Sequence, residues 1–120
     1  MQFSEEQGEG NLIDSYQPGN LVINGVTYQQ SLVIDRSGFE SWPVRLATEI
    51  SGETLQLAFE RKPDVIIIGT GEKQYFPPAD IHLPMLQFGI GIEIMDSAAA
   101  ARTYNVLVSE GRSVVAAIIV

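Results

Sequence analysis

The sequence predicts an α/β (three-layer) protein: a central mixed, largely parallel sheet flanked by helices, with an N-terminal antiparallel β-meander. Three observations carry that prediction. Val65 to Gly69, "VIIIG", is an unbroken β-branched run of the kind found in strands covered on both faces. After residue 50, helical and strand patterns alternate, and the right-handed crossover rule then makes strands 64–69, 90–95 and 113–119 parallel members of one sheet. Before residue 50, short β-favouring runs alternate with turn signals, which is the pattern of hairpins.

Taken in order, residues 1–15 are polar and acidic and read as a flexible tail, with a single domain over 16–120. Strands are predicted near 20–24 and 26–35, joined at Asn24-Gly25, where both residues tolerate positive φ. A second turn at Asp35-Arg36-Ser37-Gly38 leads to an outer strand, "FESWPV"; Pro43 cannot donate to a ladder and belongs on an edge. A helix follows over 51–61, with Ser51 as N-cap, a stripe of Leu55, Ala58 and Phe59, and Lys62-Pro63-Asp64 as its stop. After strand 64–69, Asp80 caps a short helix to Phe88 that Gly89 closes. The clearest helix is 97–110: Ser97 or Asp96 caps it, an alanine run favours it, and Gly111 ends it.

Composition excludes several functions. At 120 residues the chain holds one core. Its net charge of −8, with seven Lys and Arg that form no cluster along the sequence, works against the phosphate contacts that nucleic acids require. Cysteine is absent and His82 is the only histidine, so thiolate chemistry, disulfides and most metal sites are excluded; no metal or cofactor is predicted. No apolar run reaches the roughly 18–20 residues of a membrane span, and the N-terminus carries no basic, apolar leader, so no membrane insertion and a cytoplasmic location are expected.

Two stretches hold candidate sites. Gly69-Thr70-Gly71 opens like a dinucleotide fingerprint, but the third glycine is missing, Glu72 adds negative charge, and Pro77-Pro78 cannot begin a helix. What remains is a possible small-molecule or anion pocket outside the carboxyl ends of the parallel strands: Gly69, Thr70, Gly71 and Lys73 with Asp96 and Ser97, whose competing role is to cap the following helix. The second stretch, "KQYFPPADIHLPML", places Tyr75, Phe76, Pro77, Pro78 and His82 on a candidate partner surface. His82 has no cysteine or serine partner that would make it catalytic. Edge residues around Trp42 leave pairing of two copies open, so a homo-oligomer is also considered.

The segments "DVIIIGTG", "FPP", "GIGIEIMDSAAAARTYNVLVSEGR" and "VVAA" together resemble a small family of α/β proteins. It is known through the mitochondrial assembly factor 3 of respiratory complex I and its bacterial and archaeal relatives. The most specific part is T-x-x-A-x-x-x-Y-N-x-L-x-x-E-G-R, which places Arg102, Tyr104, Asn105, Glu110, Gly111 and Arg112 in the motif region, with Ser97 where threonine is usual. The resemblance implies a β-meander beside a mixed sheet, and no catalytic residues. The function it implies is that of a non-enzymatic module that binds another protein, by analogy in assembling a membrane-associated respiratory complex. The rival expectation is a small-molecule binder or weak enzyme using the 69–73 and 96–97 loops.

Overall fold

The computed structural model describes residues 11–81 and 87–120. In chain order the strands are β1 (Ile13–Gln17), β2 (Asn20–Ile23), β3 (Val26–Tyr28), β4 (Leu32–Asp35), β5 (Gly38–Ser41), β6 (Val65–Gly69), β7 (Gly91–Met95) and β8 (Val114–Ile118). Helix α1 (Gln56–Phe59) precedes β6, and α2 (Ser97–Ser109) joins β7 to β8. Strands β1-β2-β3 form a small antiparallel sheet; the main sheet runs β5-β4-β8-β6-β7.

The mixed α/β class read from the sequence is the one observed. Strands β6, β7 and β8 are parallel, and β4 joins β8 antiparallel, followed by β5. β6 and β8 are buried along their whole length because residues of both faces meet a covering layer. Alternation sorts them. Ile67 and Ala116 face α2 residues Ala100, Tyr104 and Val108 together with Ile13, Leu21 and Ile23 of the small sheet. Ile66, Ile68 and Ala117 face Trp42, Val44, Ile50, Leu55 and Ile81. One cover is thus a helix plus a sheet, and the other is mostly irregular chain.

The N-terminal meander divides between two sheets. Its predicted 26–35 strand breaks at polar Gln29-Gln30-Ser31: β3 stays in the small sheet, while Leu32, Val33 and Ile34 are all buried and enter the large one. Folded structure also begins earlier than expected, since β1 starts at Ile13 inside the stretch read as tail. Asn24 (φ 53°) and Gly25 (φ 80°) make the predicted tight turn, pairing Ile23 with Val26.

Three further expectations change. The outer strand stops at Ser41, and Trp42 turns inward: it is 3% exposed, and its indole Nε1 donates to the Thr54 carbonyl at 2.7 Å. Trp42 itself is therefore not part of an exposed edge, although β5 remains the outer strand of the main sheet. The 51–61 helix is α-helical only over Gln56–Phe59. Ser51 Oγ does accept from the Thr54 N–H, but Thr54 Oγ1 in turn accepts from the Ser51 N–H, so the two side chains fix a turn before the helix proper. Lys62 in the left-handed region (φ 55°) ends it. Of the predicted 80–88 helix, Ala79–Ile81 is a 3-10 turn, 82–86 with His82 lie outside the described residues, and Gly89 closes the segment at φ 72°.

Candidate functional site

The two loops expected to frame a ligand pocket do converge at the carboxyl ends of β6 and β7, and they are stitched together. Ser97 N donates to the Gly71 carbonyl and Gly71 N to Ser97 Oγ, both at 2.8 Å, while the Ser97 hydroxyl donates to the Ile119 carbonyl. Thr70 Oγ1 donates to the carbonyls of Lys73 (2.7 Å) and Met95 (3.2 Å). Asp96 is the N-cap of α2, accepting from Ala99 N at 2.8 Å. Gly69 is needed for the close approach: a Cβ there would lie 2.9 Å from Ser97 Oγ and 3.0 Å from Ala100 Cβ. The Thr70 and Ser97 hydroxyls and the Thr70, Gly71 and Ser97 amides are engaged in hydrogen bonds that tie the loop after β6 to β7, α2 and the end of β8. Ser97 is wholly buried and Thr70 nearly so, whereas Lys73 is exposed.

Sequence reasoning missed Tyr16 at this corner. Its hydroxyl is buried close to Ser97 and meets no hydrogen-bond geometry among the described residues. Burial, then the negative charges of Glu72 and Asp96, push its phenol above the ordinary range. Nothing around residue 16 signals this, since the groups that act on it lie at positions 72 and 96–97.

The aromatic and proline segment is more open. Phe76 is 75% exposed, Pro78 is exposed, Tyr75 is half-buried, and Pro77 is buried, which removes it from the expected partner surface. Gln74 Nε2 donates to the Ile94 carbonyl at 3.4 Å, tying the loop to β7. Phe88 is 67% exposed and meets Phe59 edge-on at 5.1 Å; both line a cleft of 530 Å³ with Lys62, Pro63 and Ile90.

The motif residues on α2 have two separate duties. Asn105 acts as a substitute strand: its Oδ1 accepts from Ile13 N at 2.8 Å and its Nδ2 donates to Ile13 O at 2.7 Å, pinning β1. Tyr104 is fully buried and its hydroxyl donates to the Asn11 carbonyl at 2.7 Å; burial pushes its phenol far above the ordinary range. Glu110-Gly111-Arg112 is a Schellman stop. Gly111 N (φ 81°) donates to Val108 O and Arg112 N to Leu107 O. Arg102 is exposed, and Arg112 is delivered to a cleft of 280 Å³ that Arg36 and Arg61 also line. These arginines are scattered in sequence, which is why no basic cluster was visible there.

Among the described residues no helix is long and apolar enough to cross a membrane, and no group of His, Cys, Asp and Glu is arranged to hold a metal. The chain is 32% identical to the 13 kDa major membrane protein of Francisella tularensis, covering 82% of each. It is also 32% identical to the NADH dehydrogenase [ubiquinone] 1 alpha subcomplex assembly factor 3 of Danio rerio, covering 98% of this chain and 68% of that one. The crystal structure of a Bordetella parapertussis protein superposes with a TM-score of 0.87 at 37% identity, over 91% of this chain and 94% of that one. With residues 13–119 matching throughout, the chain belongs to the family described as protein of unknown function (DUF498/DUF598), in which the expected resemblance to complex I assembly factor 3 is met.

Proposed function

We propose that the chain is a non-enzymatic protein-interaction module that helps to assemble a membrane-associated complex, with the loop around Phe76 as its contact surface. The observation that carries this reading is a phenyl ring 75% exposed on a loop whose stem is fixed by Thr70 and Gln74. Such a ring gains about 1.5–3 kcal/mol when fully buried, roughly one to two decades of affinity, and a fixed stem lowers the ordering cost of binding. The name of the Danio rerio relative supports an assembly role. The polar junction at Ser97 and Thr70 favours this reading over a small-molecule site, since its donors and acceptors already face one another.

The test is affinity capture from native cell extract with the intact chain and a Phe76→Ala variant as parallel baits. Subunits of a membrane complex should be retained by the intact chain and depleted about tenfold or more with the variant. Equal recovery on both baits, or none above control on either, would remove the Phe76 surface as the site of action.

A further inference from the structure

The cleft at the opposite end of the parallel strands gathers three of the seven basic residues of a chain whose net charge is −8. Its wall comes from three separate elements: Asp35 and Arg36 at the β4–β5 turn, Arg61 just after α1, and Gly111 to Val115 where the α2 stop enters β8. The carboxylate among these residues is already satisfied. Asp35 Oδ1 accepts from the Ser37 N–H, the Ser37 hydroxyl and the Gly38 N–H, and its Oδ2 accepts from Arg61 Nη1 at 2.9 Å. Arg61 is also bound through Nη2 to Glu40, at 2.9 Å, outside the cleft.

Arg36 and Arg112 are different. Both are exposed, both line the cleft, and among the described residues neither pairs with a carboxylate. The Schellman stop fixes the backbone at Arg112, and the Asx turn on Asp35 fixes the backbone at Arg36, so two arginines line one cleft from held backbone positions. Two cationic side chains lining one cleft favour an anion between them. Guanidinium forks match the oxygens of tetrahedral oxyanions, and two of them balance a dianion, which a single carboxylate does not.

The geometry points to a binding site for a phosphate dianion, free or carried as a small phosphomonoester, held between Arg36 and Arg112 over the Arg61–Asp35 pair. The 280 Å³ cleft is wider than one phosphate group and lies just below the roughly 300–1,000 Å³ of most small-molecule sites, which fits a short organic substituent. The Ser113 side chain, on the same wall, makes no hydrogen bond among the described residues and is available to a phosphate oxygen. This site is independent of the Phe76 surface.

The experiment is a titration of the ¹⁵N-labelled full chain with inorganic phosphate and, separately, with glycerol 3-phosphate, at ionic strength held constant with chloride. Saturable shifts confined to the amides of Asp35–Gly38 and Gly111–Val115 are expected with both probes. Arg36→Gln and Arg112→Gln should each weaken binding about tenfold to a hundredfold, the loss of one charged donor group, while Arg45→Gln, outside the cleft, leaves it unchanged. The untitrated spectrum of each variant reports that it is folded. Glycerol 3-phosphate binding more tightly than phosphate assigns the added space to the substituent, and equal binding assigns the site to phosphate itself. Shifts that rise linearly without saturating, or binding undiminished in both arginine variants, would overturn the site.

Discussion

At the scale of single residues, the junction of β6 with α2 depends on a missing side chain and a buried hydroxyl. Gly69→Ala would drive a methyl group into Ser97 and Ala100 at 3.0 Å or less, and the Ser97 Cα at 3.0 Å is backbone that cannot swing aside. Overpacking of this kind costs about 1–3 kcal/mol, to be read as a lower urea midpoint at unchanged slope. Ser97→Ala acts from the other side of the same contact. It leaves the Gly71 N–H and one bond of the Ile119 carbonyl unmatched in a buried place, and should cost about 2–6 kcal/mol, since each such group loses about 1–3. A Ser97→Thr variant keeps the hydroxyl and should retain most of the stability, which separates the hydrogen bonds from packing.

At the scale of elements, β1 is the strand most dependent on a distant side chain. Asn105→Ala removes both bonds to Ile13, and faster amide exchange should follow at Ile13 and its neighbours in β1 while β6 and β8 stay protected. That dependence also explains what could be read in advance. β6, β7, α2 and β8 were legible because each carries its own signal: β-branched runs for the strands, and alanines between a cap and Gly111 for α2. β1 was not, because "IDSYQ" has no strand pattern of its own and is held by residues some ninety positions away. The division of the meander was equally hidden, since β3 and β4 have similar local propensity and only the choice of neighbour separates them. Of the candidate site residues, the sequence brought the 69–73 and 96–97 loops to one edge and placed Phe76 at the surface. It could not show that Ser97 makes internal hydrogen bonds, or that Arg36, Arg61 and Arg112 line one cleft.

At the scale of the whole molecule, acid sensitivity follows from two carboxyl groups held below their usual range. Burial of Asp35 works against its ionisation, but hydrogen bonds from Ser37 and Arg61 outweigh it; Glu49 is lowered by the N–H groups of Arg45 and Leu46. A carboxyl depressed in the folded state binds its proton more readily once unfolded, so its contribution is complete above the unfolded value, about 4, and is lost as pH falls through the lower folded value. The urea midpoint should therefore drop between about pH 5 and about pH 2, and Asp35→Asn should flatten part of that drop.

The central place of β8 has a consequence in time. Leu32 pairs with Ile118, and β6 reaches β4 only through the strand between them, so the two halves of the main sheet stay unjoined until that strand is available. During synthesis the β4–β5 hairpin and β6 must both wait for β8, which pairs Leu32 with Ile118 and Val65 with Val114, with apolar edges uncovered until then. Chaperone demand should therefore stay high until β8 leaves the ribosome. Truncation ahead of Val114 would leave a sheet without its middle.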